Sequence, residues 1–291
     1  MVDLVTSRFK IMGALVLALA LASCASAPAD APADAATKAA WQAQLAHWQG
    51  VPLLLLGEEH DASAHQQWER DTTAQLAASD RLAALVIEMA EAGHQTDGLP
   101  PEAGEDAVKA ALHWQDTGWP WKRYGPMVMA AVRAGVPVRG GNLPRERMRG
   151  AMQDTQLDAH LSADRLAQQQ AAVREGHCDL LPERQIAPMT RVQLARDEQL
   201  AKVALAAQQP GKTVLLVAGN GHVRPTLGIP TWLPANFEHK VAIAQAASAS
   251  SAINIEADYL YRTAPLAPKD HCAALRRQWQ AHPPQPAAGQ R

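Results

Sequence analysis

The sequence predicts an α/β domain: a mainly parallel sheet flanked by helices, with a helical cap subdomain. Three observations predict it. Short uninterrupted apolar runs recur along the chain, stretches rich in Ala, Gln, Leu and Arg separate them, and the strongest runs end in turns that combine Gly with Glu, Asn or His. Unbroken apolar runs suit strands covered on both faces, as in parallel sheets. Strand–helix alternation argues for helices layered on either side of such a sheet.

Taken in order, Val51 to Leu56 is the first strand and ends in Gly57-Glu58-Glu59-His60-Asp61. Ala83 to Ile87 is the second and ends in Glu88-Met89. Val136 to Val138 leads into Arg139-Gly140-Gly141-Asn142, and Thr213 to Val217 leads into Ala218-Gly219-Asn220-Gly221-His222. Val241 to Ala244 and Tyr259 to Arg262 are two later strands. Ala62 to Ser79, Met127 to Ala134 and Val192 to Gln209 have helix-forming composition. Leu157 to Leu180 reads as helical too and falls in a cap over about residues 150–190. The domain as a whole spans 40–282, and the tail 283–291 reads as disordered.

The N-terminus reads as an export signal. Arg8 and Lys10 precede an uncharged apolar stretch from Ile11 to Ala22, and Leu21-Ala22-Ser23-Cys24 resembles the lipobox of bacterial lipoproteins. The stretch is well short of the roughly 20 apolar residues that span a bilayer. Residues 1–23 are therefore expected to be a signal peptide, and Cys24 the lipidation site. Residues 24–39, dominated by Ala, Pro, Asp and Ser, are expected to be a flexible tether. This predicts a protein lipid-anchored on the periplasmic side of the cell envelope. Ala25, not Asp, follows Cys24, and by resemblance to enteric lipoproteins this points to the outer membrane.

That compartment bears on the other two cysteines. With Cys24 lipidated, Cys178 and Cys272 are the one pair left for a disulfide, which an oxidising periplasm permits. The rival reading makes Cys178, beside His177, a metal ligand. The formal charge of −2, from 27 basic against 29 acidic residues, gives no basic excess for nucleic acid.

In open α/β sheets, ligands bind outside the carboxyl ends of the strands. Parallel strands put those ends on one edge, so Glu58, His60, Glu88, Asn142, Asn220 and His222 are expected to line one cleft. Glu88 stands out because it follows Leu85-Val86-Ile87, where a strand is still buried, and a buried carboxylate needs a partner. The set Glu58, His60, Glu88 and His222 suits a hydrolase that activates water. Glu58, His60 and His222 could hold a divalent metal for it. No H-E-x-x-H or G-x-S-x-G motif is present. Gly211-Lys212-Thr213 resembles the end of a P-loop but precedes a strand instead of following one.

A second constellation is Trp114, Trp119, Trp121 and Tyr124 beside His113, Lys122 and Arg123. Gly118 and Pro120 suggest a loop there. Such a loop suits a flat, apolar, anionic ligand. The alternative is that the rings cover the sheet edge as ordinary core.

Several motifs together resemble a known family. Leu56-Gly57-Glu58-Glu59-His60-Asp61, Ile87-Glu88-Met89, Gly141-Asn142-Leu143-Pro144-Arg145 and Ala218-Gly219-Asn220-Gly221-His222 are similar to those of the ChaN haem-binding uptake lipoproteins. That family lies in the Tiki and erythromycin-esterase-like superfamily. Trp121-x-x-Tyr124-x-Pro126, Gly176-His177-Cys178 and Ala195-Arg196-Asp197-Glu198 are similar too, and the resemblance runs from about Pro52 to Cys272. It implies a parallel-sheet fold with a helical cap and haem bound at a homodimer interface on a Tyr or His ligand. It also implies a role in iron acquisition, with an outer-membrane haem receptor as partner. Tyr124 is the best-placed of the three tyrosines as ligand, with His177 next. Arg123 and Arg145 would pair with the propionates, and Trp121 and Asn142 would complete the haem site. The hydrolase remains the alternative function, and it is the superfamily's enzymes that point to it.

Overall fold

The structure is a computed structural model and describes residues 31–246 and 257–281. Cys24, the signal peptide and the tail 283–291 lie outside the described residues. The strands are β1 (Leu53–Glu58), β2 (Leu82–Glu91), β3 (Val138–Asn142), β4 (Thr213–Gly219), β5 (His239–Ala246) and β6 (Tyr259–Thr263). The helices are α1 (Ala35–His47), α2 (Ser63–Ala78), α3 (Glu105–Ala111), α4 (Trp121–Arg133), α5 (Arg145–Gln153), α6 (Ala163–Gly176), α7 (Glu183–Ala206) and α8 (His271–Ala281). All strand pairs are parallel, in the order β3-β2-β4-β1-β5-β6. The expected fold class is the one observed.

The continuous apolar runs are explained by burial on both faces. In β1, Leu54 and Leu56 face a core shared with Trp68 of α2 and Met127 of α4, whereas Leu53 and Leu55 face Leu200 and Ala204 of α7. The connections after β1 and β2 run through α2 and through α3 and α4 on the first face. Those after β3 and β4 involve α7 and a short 3₁₀ turn, Ile229–Trp232, on the second. Neighbouring strands thus send their chains to opposite faces, which opens a crevice at their carboxyl ends. No described helix is long and apolar enough to cross a membrane.

Three features differ from the sequence reading. Helix α1 begins at Ala35, inside the stretch read as a tether. The Asp34 carboxylate caps it by accepting from the Thr37 N–H at 2.7 Å, and Trp41 and Leu45 dock it on the sheet. The Trp114–Tyr124 segment is a turn as far as Pro120, as Gly118 and Pro120 suggest, but a packed one and not an open platform. Trp121 starts α4, and Trp114, Trp121 and Tyr124 are buried, so these rings serve mainly as core. Helix α7 starts at Glu183, nine residues earlier than its apolar pattern suggests, and accommodates Pro188.

The cap is helical as expected. It comprises α6, the 3₁₀ turn Thr155–Ala159 and the start of α7, around a small cluster with Leu157, Leu161 and Leu194. Cys178 and Cys272 form a disulfide with Cα atoms 5.5 Å apart, tying the end of α6 to α8. The Cys178 sulfur is therefore not a metal ligand.

Candidate functional site

Glu58 is the last residue of β1, and its carboxylate is buried. One oxygen accepts from the Tyr124 hydroxyl at 2.9 Å and from His60 Nδ1 at 2.7 Å; the other accepts from Gln66 Nε2. Glu88 lies where the pairing of β2 with β3 shifts register, between Ile87 and Glu91. Such a bulge re-aims a side chain at the end of a strand. Its Oε2 accepts from the Gly219 N–H at 2.8 Å, and its Oε1 lies 3.4 Å from His222 Nε2. His60 Nε2 is 3.9 Å from Glu88 Oε2. The other nitrogen of His222 contacts Asp197 Oδ1 of α7 at 2.5 Å.

The approach of these turns depends on two glycines. A Cβ at Gly57 would lie 2.5 Å from Asn220 Oδ1 and from Val223 Cγ2. One at Gly219 would lie 2.8 Å from His60 Nε2. Side chains at either position would push the first and fourth strand-end turns apart.

The electrostatics follow from burial and pairing. For Glu88, burial alone would raise the pKa, but His222, His60 and the Gly219 N–H together hold it well below the usual carboxylate range. Burial disfavours a charged His222, yet Glu88 and Asp197 on either side raise it to about 10. Burial pushes Asp197 up to about 6, against the pull of His222. Burial also opposes protonation of His60, and its hydrogen bond to Glu58 and the charge of Glu88 outweigh that. Glu69 of α2 is fully buried with no donor to either oxygen among the described residues. Burial first, and the charge of Glu58 second, push its pKa far up. Both causes favour its neutral form. The cluster is a relay of carboxyls and imidazoles, with the His60 side chain, 40% exposed, at its surface.

A sequence model of the family described as haem-binding uptake, Tiki superfamily, ChaN matches residues 44–233. The chain belongs to the ChaN family. Among solved structures it is similar to the ChaN of Campylobacter jejuni, described as showing cofacial heme binding, at 18% identity. That match covers 76% of this chain and 90% of the other, with a TM-score of 0.62, and shows a shared fold. A type III effector, HopBA1, matches at 17% identity over 68% of this chain and 79% of its own. Its TM-score of 0.37 is too low to carry an argument. Nothing matches among curated proteins.

In this ChaN-family chain, Glu58, His60, Glu88 and His222 converge as the strand-end argument expects. Asn142 and Asn220 stand at the same edge but hold turns. Asn142 Nδ2 donates to the Glu88 carbonyl at 2.9 Å, and Asn220 Nδ2 donates to the Ala244 carbonyl at 3.1 Å. Among the described residues no group of three or more His, Cys, Asp or Glu is arranged to hold a metal ion. The expected set Glu58, His60 and His222 is instead engaged in the relay.

The haem residues are dispersed. Tyr124 is 1% exposed with its hydroxyl on Glu58, so it does not present an oxygen to an external ligand. The Trp121 indole is buried and donates to Glu105 at 2.7 Å. Arg145 is exposed at the start of α5, and Arg123 donates to the His60 carbonyl at 2.7 Å. His177 caps the end of α6, where its Nδ1 contacts the Val173 carbonyl at 2.8 Å.

Sequence reasoning misses Gln66, Glu69 and the pairing of Asp197 with His222. The signal for the first two is a polar pair three residues apart on α2, a spacing that shares one helix face, in a helix that also buries Trp68 and Leu76.

Proposed function

We propose that this protein is a haem-binding lipoprotein of iron acquisition. It is lipid-anchored through Cys24 on the periplasmic side of the envelope, binds haem as a homodimer and exchanges it with an outer-membrane receptor. The observation that carries the reading is the family match over residues 44–233. The fold shared with a ChaN that binds heme cofacially supports it.

His177 is the axial ligand in this reading. Its Nδ1–H is held by the Val173 carbonyl, the arrangement that fixes the tautomer of a metal-binding histidine and leaves Nε2 as the donor to iron. Tyr124 supports Glu58 instead. Hemin titration of the full chain in detergent tests this. Wild type develops a saturable Soret shift, His177→Ala changes its position or abolishes it, and Tyr124→Phe leaves it in place. A Tyr124→Phe spectrum that differs while His177→Ala matches wild type returns the ligand role to Tyr124. The anchor is tested separately: Cys24→Ser transfers the protein from the membrane pellet to the soluble fraction, and retention in the pellet rejects lipidation at Cys24.

The half-open His60 ring, backed by Glu58, favours a second reading as a carboxylate–imidazole hydrolase. Ester turnover that is lost in His60→Ala, without a hemin shift in wild type, is the outcome that selects it.

A further inference from the structure

A cavity of about 600 Å³ opens beside the carboxyl ends of β1 and β5. That is the size range of small-molecule and cofactor clefts, ~300–1,000 Å³. One wall is apolar and comes from the segment after β6, Pro265 to Pro268. The other is polar, and there the Lys269 ammonium, the Arg123 guanidinium and the His271 ring converge on Asp61. Lys269 Nζ lies 2.7 Å from Asp61 Oδ2 and His271 Nε2 3.6 Å from it, while Arg123 NH1 of α4 lies 3.6 Å from Asp61 Oδ1. Glu59, also on this wall, is tied back through the Ala246 N–H at 3.2 Å.

These charges are only partly shielded. Side-chain exposure is 35% for Arg123, 59% for Lys269 and 33% for Asp61. Ion pairs exposed to that degree are weak and exchange readily, so Asp61 fills a seat that another carboxylate could take. The disulfide adds a second constraint. His271 directly precedes Cys272, and His177 directly precedes Cys178. With the half-cystine Cα atoms 5.5 Å apart and about 3.8 Å between successive Cα atoms, the two histidine Cα atoms are no more than roughly 13 Å apart. The cavity rim and the proposed iron ligand therefore share one stretch of surface.

We propose that this cavity is the carboxylate seat of the bound porphyrin: a propionate displaces Asp61 from Lys269 and Arg123 while the apolar body lies on Pro265 to Pro268. The inference rests on the haem reading and adds a site and an exchange to it. It requires that Asp61, although it lies in the site, compete with the ligand. Removing its charge must therefore tighten binding.

The test is affinity, not spectral position. Hemin is titrated into the full-length wild type, Asp61→Asn and Lys269→Ala, with circular dichroism and melting temperature as folding controls. Asp61→Asn binds several-fold tighter. Lys269→Ala binds about three- to fivefold weaker, the upper range of one partly exposed ion pair. Neither moves the Soret maximum. With the dimethyl ester of hemin, which lacks both carboxylates, the two variants and wild type bind alike. Saturable hemin binding with both variants within twofold of wild type, or an Asp61→Asn that binds weaker, overturns the carboxylate seat and leaves the haem reading standing. No saturable binding by folded wild type overturns both.

Discussion

His222→Ala is expected to lower folding stability by about 3–5 kcal/mol near neutral pH, the cost of stripping one partner from a buried charge cluster. The His222 ring is the cation between two buried carboxyls, with Glu88 Oε1 at 3.4 Å and Asp197 Oδ1 at 2.5 Å. Without it, Glu88 and Asp197 face each other across an empty space, and one of them must take a proton. The loss should therefore shrink on acidification, leaving only the part due to the cavity.

The wild-type pH profile follows from the same groups. His222, raised to about 10 in the fold, contributes stability that is complete below pH 6.5 and is lost as pH climbs toward 10. Glu88, depressed, contributes stability that is present above pH 4.5 and is lost as pH falls below that value. Asp197, raised to about 6, favours the fold below pH 3.8 and loses that contribution between 3.8 and 6. Urea denaturation midpoints should thus peak on the acid side of neutral and decline steadily from pH 6.5 to 9. Parallel alkaline slopes for wild type and His222→Ala would show that His222 is not held charged.

The second large effect is expected at the disulfide. Replacing Cys178 and Cys272 with Ser should cost about 2–4 kcal/mol, because the bond closes a long loop in the unfolded chain. The two cysteines are 94 residues apart in sequence. In the native state the bond also anchors α8, an amphipathic end helix with several exposed positions, to the turn after α6. Denaturant midpoints with and without reductant, with the double Ser variant as control, measure it. A double variant as stable as oxidised wild type would show that packing alone holds α8 in place.

What could be read in the sequence and what could not divides along physical lines. Thr213 to Val217 reads as a strand because both its faces are buried, and it forms the first five of the seven residues of β4 (Thr213–Gly219). The convergence of Glu58, His60, Glu88 and His222 is also legible, since parallel strands must bring their carboxyl ends to one edge. The start of helix α1 is hidden because its alanines continue the Ala-rich stretch before it, and its buried residues are Trp41 and Leu45. The Trp114–Tyr124 segment is ambiguous because a Trp-rich stretch serves equally as ligand platform or as core.

By itself, then, the sequence determined the α/β class, the edge at which the polar residues gather, the family resemblance and the one cysteine pair. Each of these follows from local burial patterns, local motifs or simple elimination. Only the tertiary structure decided which side chains face each other across that edge. Asp197 lies 25 residues from His222 in sequence, and Tyr124 lies 66 from Glu58. Both are drawn in from helices on opposite faces of the sheet. A buried charge finds its partner through packing of whole layers, and no local pattern encodes that pairing. The same holds for Lys269 and Asp61, 208 residues apart, whose meeting makes one wall of the cavity.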